Sequence, residues 1–194
     1  MSRASLVFAC VLFVAAAHLA AADPAQPVPS GKNAFETGLV DPFLSSYFLR
    51  YLLRVSPQDE LSIGFSYTGR TNALFGAAYP GSFQFFAPSL GYRRYFWRAM
   101  YAEYVLFPGL AIYNDAGAAA SYSSFELWNE FHVGYRFEMQ VGRIWLTISP
   151  EVIAAFPDIR SNEPRSFRTV DEASPAFGWP GFSILPNILV GIAF

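Results

Sequence analysis

Cysteine is nearly absent. The single Cys10 of this 194-residue chain lies in an N-terminal apolar stretch. Once that stretch is cut away no thiol remains, which excludes a disulfide framework, thiol catalysis and a cysteine-ligated metal. Charge is scarce as well: Asp, Glu, Lys and Arg make up 14% of the chain, against about a quarter in an ordinary soluble domain. Beyond the N-terminus no apolar run approaches the roughly 20 residues of a membrane-spanning helix. A basic surplus is missing too. Without Arg3, 12 basic and 15 acidic residues remain, 12 − 15 = −3, so nothing points to nucleic acid. No repeat of solenoid or propeller period is visible. What the chain does have is 53% hydrophobic and 18% aromatic residues, dispersed and often alternating.

The first residues read as a secretory signal. Arg3 supplies a positive start, Ala4 to Leu19 is apolar, and Ala20, Ala21 and Ala22 offer a small-residue cleavage site. Residues 1–22 are therefore expected to be removed; a retained anchor is the other reading. Residues 23–32, DPAQPVPSGK, form a short Pro-rich flexible lead. Residues 33–194 are expected to form one domain.

In SSFELWNEFHVGYRFEM, residues 123–139, alternate positions from Phe125 are almost all apolar, and the positions between them carry Glu126, Glu130, His132, Arg136 and Glu138. Period two marks a strand with two different faces. Soluble strands usually run about five or six residues. Seventeen residues of alternation suit a barrel strand that needs about 9–11 residues inside a bilayer and extends past it. The C-terminus repeats the pattern, with Ile184, Pro186, Ile188, Val190, Ile192 and Phe194 on one face.

The same test predicts strands at 33–40, 43–55, 59–68, 83–96, 99–113, 122–139, 142–156 and 182–194. The segment 43–55 also reads as an amphipathic helix. Short connections fall at 56–58, 97–98 and 140–141, longer ones at 69–82, 114–121 and 157–181, with a tight turn at Asp41–Pro42. Even strand number and alternating loop length fit an all-β fold: a transmembrane antiparallel up-and-down β-barrel of about eight strands, with both ends of the chain on the periplasmic side. A soluble barrel or sandwich with the apolar residues inside is the competing architecture.

GYRRYFW (91–97), FELWNEFHVGYRF (125–137), SNEPRSF (161–167) and LPNILVGIAF (185–194) resemble a family of small Gram-negative outer-membrane β-barrel proteins to which no activity attaches. More broadly the chain resembles the eight-stranded barrels of the OmpA, OmpX and OmpW type, from about Asn33 to the C-terminus. The resemblance implies residence in the outer membrane, contact with its lipids and lipopolysaccharide, and insertion by the barrel-assembly machinery. Phe194 is similar to the terminal aromatic signal which that machinery reads.

By parity the lumen-facing set is Glu36, Arg50, Arg54, Glu60, Arg93, Glu103, Glu126, Glu130, His132, Arg136, Glu138, Arg143 and Glu151. An eight-stranded barrel is about wide enough for side chains alone, and unpaired buried ions cost several kcal/mol. A salt-bridged plug is therefore expected, in a monomer structural or interactive at the cell surface. A small passive channel for hydrophobic or very small solutes is one alternative. A lipid-modifying enzyme is another, since lipid A deacylases of the PagL kind are small barrels. Their reactive groups face lipid, whereas His132 faces the lumen, so no catalytic residue is assigned. No cofactor or metal is expected: Glu126 and His132 lie three two-residue steps of about 6.6–6.8 Å apart on one strand. Tyr92, Tyr95, Phe96 and Trp97 suit an interfacial girdle, and Arg94 would snorkel beside them. In the loop 157–181, Arg160, Arg165 and Arg168, with Phe177 and Trp179, are the candidates for an outside ligand such as lipopolysaccharide phosphate.

Overall fold

The computed structural model describes residues 31–41, 45–72, 78–173 and 183–194. The expected signal 1–22, most of the lead, Pro42, Phe43, Phe177 and Trp179 lie outside the described residues. The strands are β1 (Asn33–Gly38), β2 (Ser46–Arg54), β3 (Asp59–Asn72), β4 (Ala78–Trp97), β5 (Met100–Asp115), β6 (Ala120–Tyr135), β7 (Phe137–Val141), β8 (Ile144–Arg160) and β9 (Ser183–Ala193), with one helix, α1 (Arg165–Ala173). Apart from β6 and β7, consecutive strands pair antiparallel, and β1 pairs with β9 through Ala34–Gly38 and Leu189–Ala193. β6 and β7 both pair with β8. They act as one strand interrupted at Arg136, so nine segments close a ring of eight.

The alternation does what period two requires. Phe35, Leu49, Ile63, Leu90, Leu110, Phe125, Ile148, Val152, Ile188 and Ile192 are exposed on the outer surface. The positions between them point inward, and Glu36, Arg50, Glu60, Arg93, Glu103 and His132 among them are buried. This arrangement inverts that of a water-soluble barrel. Large side chains fit across the narrow lumen because small residues face them. A Cβ on Gly134 would lie 2.7 Å from the Tyr101 ring, and one on Gly64 would lie 2.4 Å from the Leu49 carbonyl and 2.8 Å from Arg50 Cβ.

Several boundaries differ from the sequence reading. The 43–55 ambiguity resolves as strand: Ser46–Arg54 pairs residue for residue with Glu60–Thr68. The expected loop 69–82 is largely strand. Gly69 and Arg70 still pair with Gln84 and Phe83, although Gly69, Pro80 and Gly81 break the apolar alternation. β5 and β6 likewise run up to a connection at 116–119, where Asp115 Oδ1 accepts from the N–H groups of Gly117 and Ala118 at 2.9 and 3.0 Å. The lead is tied at its end: the N–H groups of Lys32 and Asn33 both donate to the Phe194 carbonyl at 3.0 Å.

The expected loop 157–181 holds α1. Pro164 precedes the helix, where its carbonyl accepts from the N–H groups of Phe167 and Arg168 at 3.1 Å and its missing N–H costs nothing. Phe167, Val170 and Asp171 sit at helical spacing and turn inward, while Arg165, Arg168 and Thr169 are exposed. Among the described residues no helix is long and apolar enough to cross a membrane.

Candidate functional site

The interior divides at Phe48. Its ring faces the Arg50 guanidinium at 5.2 Å on one side and the Phe107 ring at 6.1 Å on the other. The half nearer the short turns is a lattice of ions. Arg50 bonds Glu36 at 2.8 Å and Glu103 at 2.6 Å, and Arg93 bonds the same two acids at 2.9 and 2.8 Å. All four side chains are 0% exposed. Glu60 receives Arg54 at 2.9 Å, Arg136 at 3.3 Å and the Tyr95 hydroxyl at 2.9 Å, and Arg136 also meets Glu138 at 3.0 Å. The Arg93 guanidinium lies 4.0 Å from the Tyr101 ring centre, and the Tyr101 hydroxyl donates to Glu151 at 2.8 Å. Taking these ions out of water is expensive, so only dense mutual bonding keeps them there.

His132 caps this lattice. Its Nε2 lies 3.0 Å from Glu130 Oε2 and its Nδ1 lies 3.1 Å from Glu151 Oε1, the second contact at an angle that misses hydrogen-bond geometry. Both of these partners are carboxylates, and no hydroxyl is hydrogen-bonded to His132 among the described residues. Glu103, His132 and Glu151 could offer three ligand atoms within 4.8 Å of one another. Glu103, however, is already held by two guanidiniums, whose charge opposes a cation there. The single-strand comparison of Glu126, Glu130 and His132 missed this grouping because its members come from β5, β6 and β8.

The other half is aromatic. Phe85, Phe107, Tyr113 and Phe167 are buried together, with Phe48, Tyr79, Phe83, Tyr122 and Trp128 packed against them. Phe167 enters from α1, 5.0 Å from both the Tyr79 and Tyr113 rings. Polar contacts fasten the helix around it. Arg160 bonds Glu163 at 2.6 Å and Asp171 at 2.7 Å, Arg168 reaches Glu163 at 3.3 Å, the Tyr79 hydroxyl donates to Asp171 at 2.7 Å, and Ser166 donates to Asp115. Glu126 lies here rather than in the lattice, accepting from the Tyr113 hydroxyl and from Trp128 Nε1.

Three expectations are corrected by these positions. Tyr95 is buried inside the ring with its hydroxyl on Glu60, not in an interfacial girdle. Arg143 is exposed in the two-residue turn between β7 and β8, not in the lumen; parity had been carried through a turn. Arg160 faces the barrel mouth, stacked 5.0 Å over Trp128 and bonded to two acids, so it is occupied internally. Arg165 and Arg168 remain on the outside. Arg94 is partly exposed and meets Asp59 at 3.4 Å. Phe194 is exposed, with its ring 6.1 Å from that of Phe35. Asn129 interrupts the outer apolar face, hydrogen-bonded with Tyr104 and buried.

Compared with known proteins, the chain matches no family model, no curated protein and no solved structure.

Proposed function

We propose that the chain is a small outer-membrane β-barrel of the eight-stranded kind, secreted with its leader removed, inserted as a monomer and closed to ion flow. Its role is then structural or interactive at the cell surface. The observation that carries this reading is the inversion of the wall: large apolar side chains are exposed on every strand, while Arg50 and Arg93 are completely buried. Acyl chains are the solvent that rewards such a surface. What supports a closed lumen is the lattice and the seating of Phe167. On this reading the short turns face the periplasm, and α1, with Arg165 and Arg168, faces outward near lipopolysaccharide phosphates.

The test is purification and reconstitution of the chain. It should require detergent or lipid to stay monodisperse and should give no steady conductance across a planar bilayer. A detergent-free monodisperse chain would remove the membrane reading, and a stable open conductance would remove the plug.

A further inference from the structure

Among the described residues Arg70 is the inward arginine with no carboxylate at ion-pair distance. Arg50, Arg54, Arg93, Arg136 and Arg160 all have at least one. Arg70 sits on β3 in register with Phe83. Counting by twos from Glu60 through Ser62 places it on the lumen side. Its Nε is buried and has no hydrogen-bond partner. The carboxylates that bear on it are Asp171 and Glu130, and neither is hydrogen-bonded to it. The guanidinium therefore lies between α1 and the top of the ion lattice without being consumed by either.

The surroundings are not solidly packed. In a closed ring, an inward side chain that keeps some solvent exposure borders either an internal space or the ring's open mouth. Phe48, Arg70, Tyr79, Phe83, Trp128 and Glu130 all keep some, whereas Phe85, Phe107, Tyr113 and Phe167 do not. The space is thus bounded by aromatic faces, with one unclaimed guanidinium on its wall. Aromatic lining with a single fixed polar group is the usual make-up of a small-molecule site.

We propose that this outer chamber binds a small amphiphile bearing one carboxylate, its headgroup on Arg70 and its apolar body along Phe48, Phe83 and Trp128. The guanidinium fork matches a carboxylate bidentately. Glu130 and Asp171 bear on the same spot and penalise a second negative charge, which disfavours a phosphate dianion. The proposal rests on the closed-lumen reading, because the ion lattice is the floor that makes the chamber a cup rather than a passage.

The purified chain in lipid nanodiscs is titrated with octanoate, octyl phosphate and octanol, followed calorimetrically and by tryptophan emission. Octanoate is expected to bind about tenfold more tightly than octanol, as one charge-assisted pair implies, and more tightly than octyl phosphate. Arg70→Met should bring octanoate down to the octanol level and leave octanol unchanged. Arg70→Lys, which keeps the charge but loses the fork, should fall between, and exposed Arg165→Gln should bind like the parent. Circular dichroism confirms that each variant is folded; if Arg70→Met does not fold, the Arg70→Lys comparison decides. Equal binding of octanoate and octanol by the parent, or undiminished octanoate binding by Arg70→Met or Arg70→Lys, overturns the site. Tighter binding of octyl phosphate overturns the ligand class. Conductance on the same preparation separates the two levels: a conducting parent refutes the plug, and a closed parent without octanoate preference refutes only the chamber.

Discussion

On the closed-lumen reading, the two halves of the lumen are closed by different physics. Near the short turns the closure is ionic and distributed. Arg93 bonds Glu36, 57 positions away in sequence, and Arg50 bonds Glu103, 53 positions away, so the lattice forms only when the ring does. At the opposite mouth the closure is aromatic and supplied by one short helix, whose contacts run mainly to β4, β5 and the end of β8. The first closure is part of the barrel's existence; the second is an attachment to it. A charge stranded inside the lattice has no water to turn to, whereas a lid that lets go exposes its polar groups to solvent and leaves the ring intact.

The strongest way to break this contrast is Arg93→Met. It removes bonds to Glu36 and Glu103 together and leaves two buried carboxylates facing Arg50. The expected cost is about 3–5 kcal/mol, read as a fall in the midpoint of thermal or denaturant unfolding in detergent. The combined variant Glu36→Gln, Arg50→Met, Arg93→Met, Glu103→Gln should recover much of that loss, since no ion is left unpaired. If it is no more stable than Arg93→Met alone, the cost lay in packing and the ionic account fails.

Phe167→Ala probes the other half. Truncating a buried phenylalanine costs about 3–5 kcal/mol in a core that unfolds as a unit. Here the loss should fall on lid docking: faster proteolysis and hydrogen exchange across 161–173, with the melting of the barrel shifted by less than about 1 kcal/mol. A barrel that melts as early as the Arg93→Met variant would show that lid and ring are one cooperative unit, and the contrast would collapse.

The legibility of the sequence followed the same division. Alternation placed Phe125, Ile188 and Ile192 outside and Glu36, Arg50, Arg93 and Glu103 inside, because period two is a local property that each strand carries within its own residues. What depended on register between strands was hidden: that Arg50 and Arg93 share the same two acids, or that Glu103, His132 and Glu151 converge. Parity also fails wherever a strand end is misplaced. Ending β3 at Thr68 left Arg70 in a loop, and extending β8 back through the turn put Arg143 in the lumen. The helix was invisible for a different reason. RSFRTVDEA has one large apolar anchor, and the surface that rewards its helical spacing belongs to the barrel mouth rather than to neighbouring sequence.

The smallest expected effect is a pH dependence of the lid, and its sign separates two accounts of Glu163. Its carboxyl is buried beneath α1 against Arg160 and Arg168. Burial raises its affinity for a proton above the ordinary value of 4.5, outweighing the arginines. A carboxyl whose proton is held more tightly in the docked state favours docking in its protonated form. Lid stability from this group is then fully present below pH about 4.5 and is lost as pH rises through the raised folded value. Protection of 161–173 against hydrogen exchange, corrected for intrinsic rates, should therefore drop by roughly a few-fold across that window, and Glu163→Gln should remove the drop. If the two arginines instead dominate, the folded value lies below the ordinary one and protection rises with pH over the acidic side. That outcome would make the lid a small copy of the ionic lattice beneath it, and the two closures would differ in size rather than in kind.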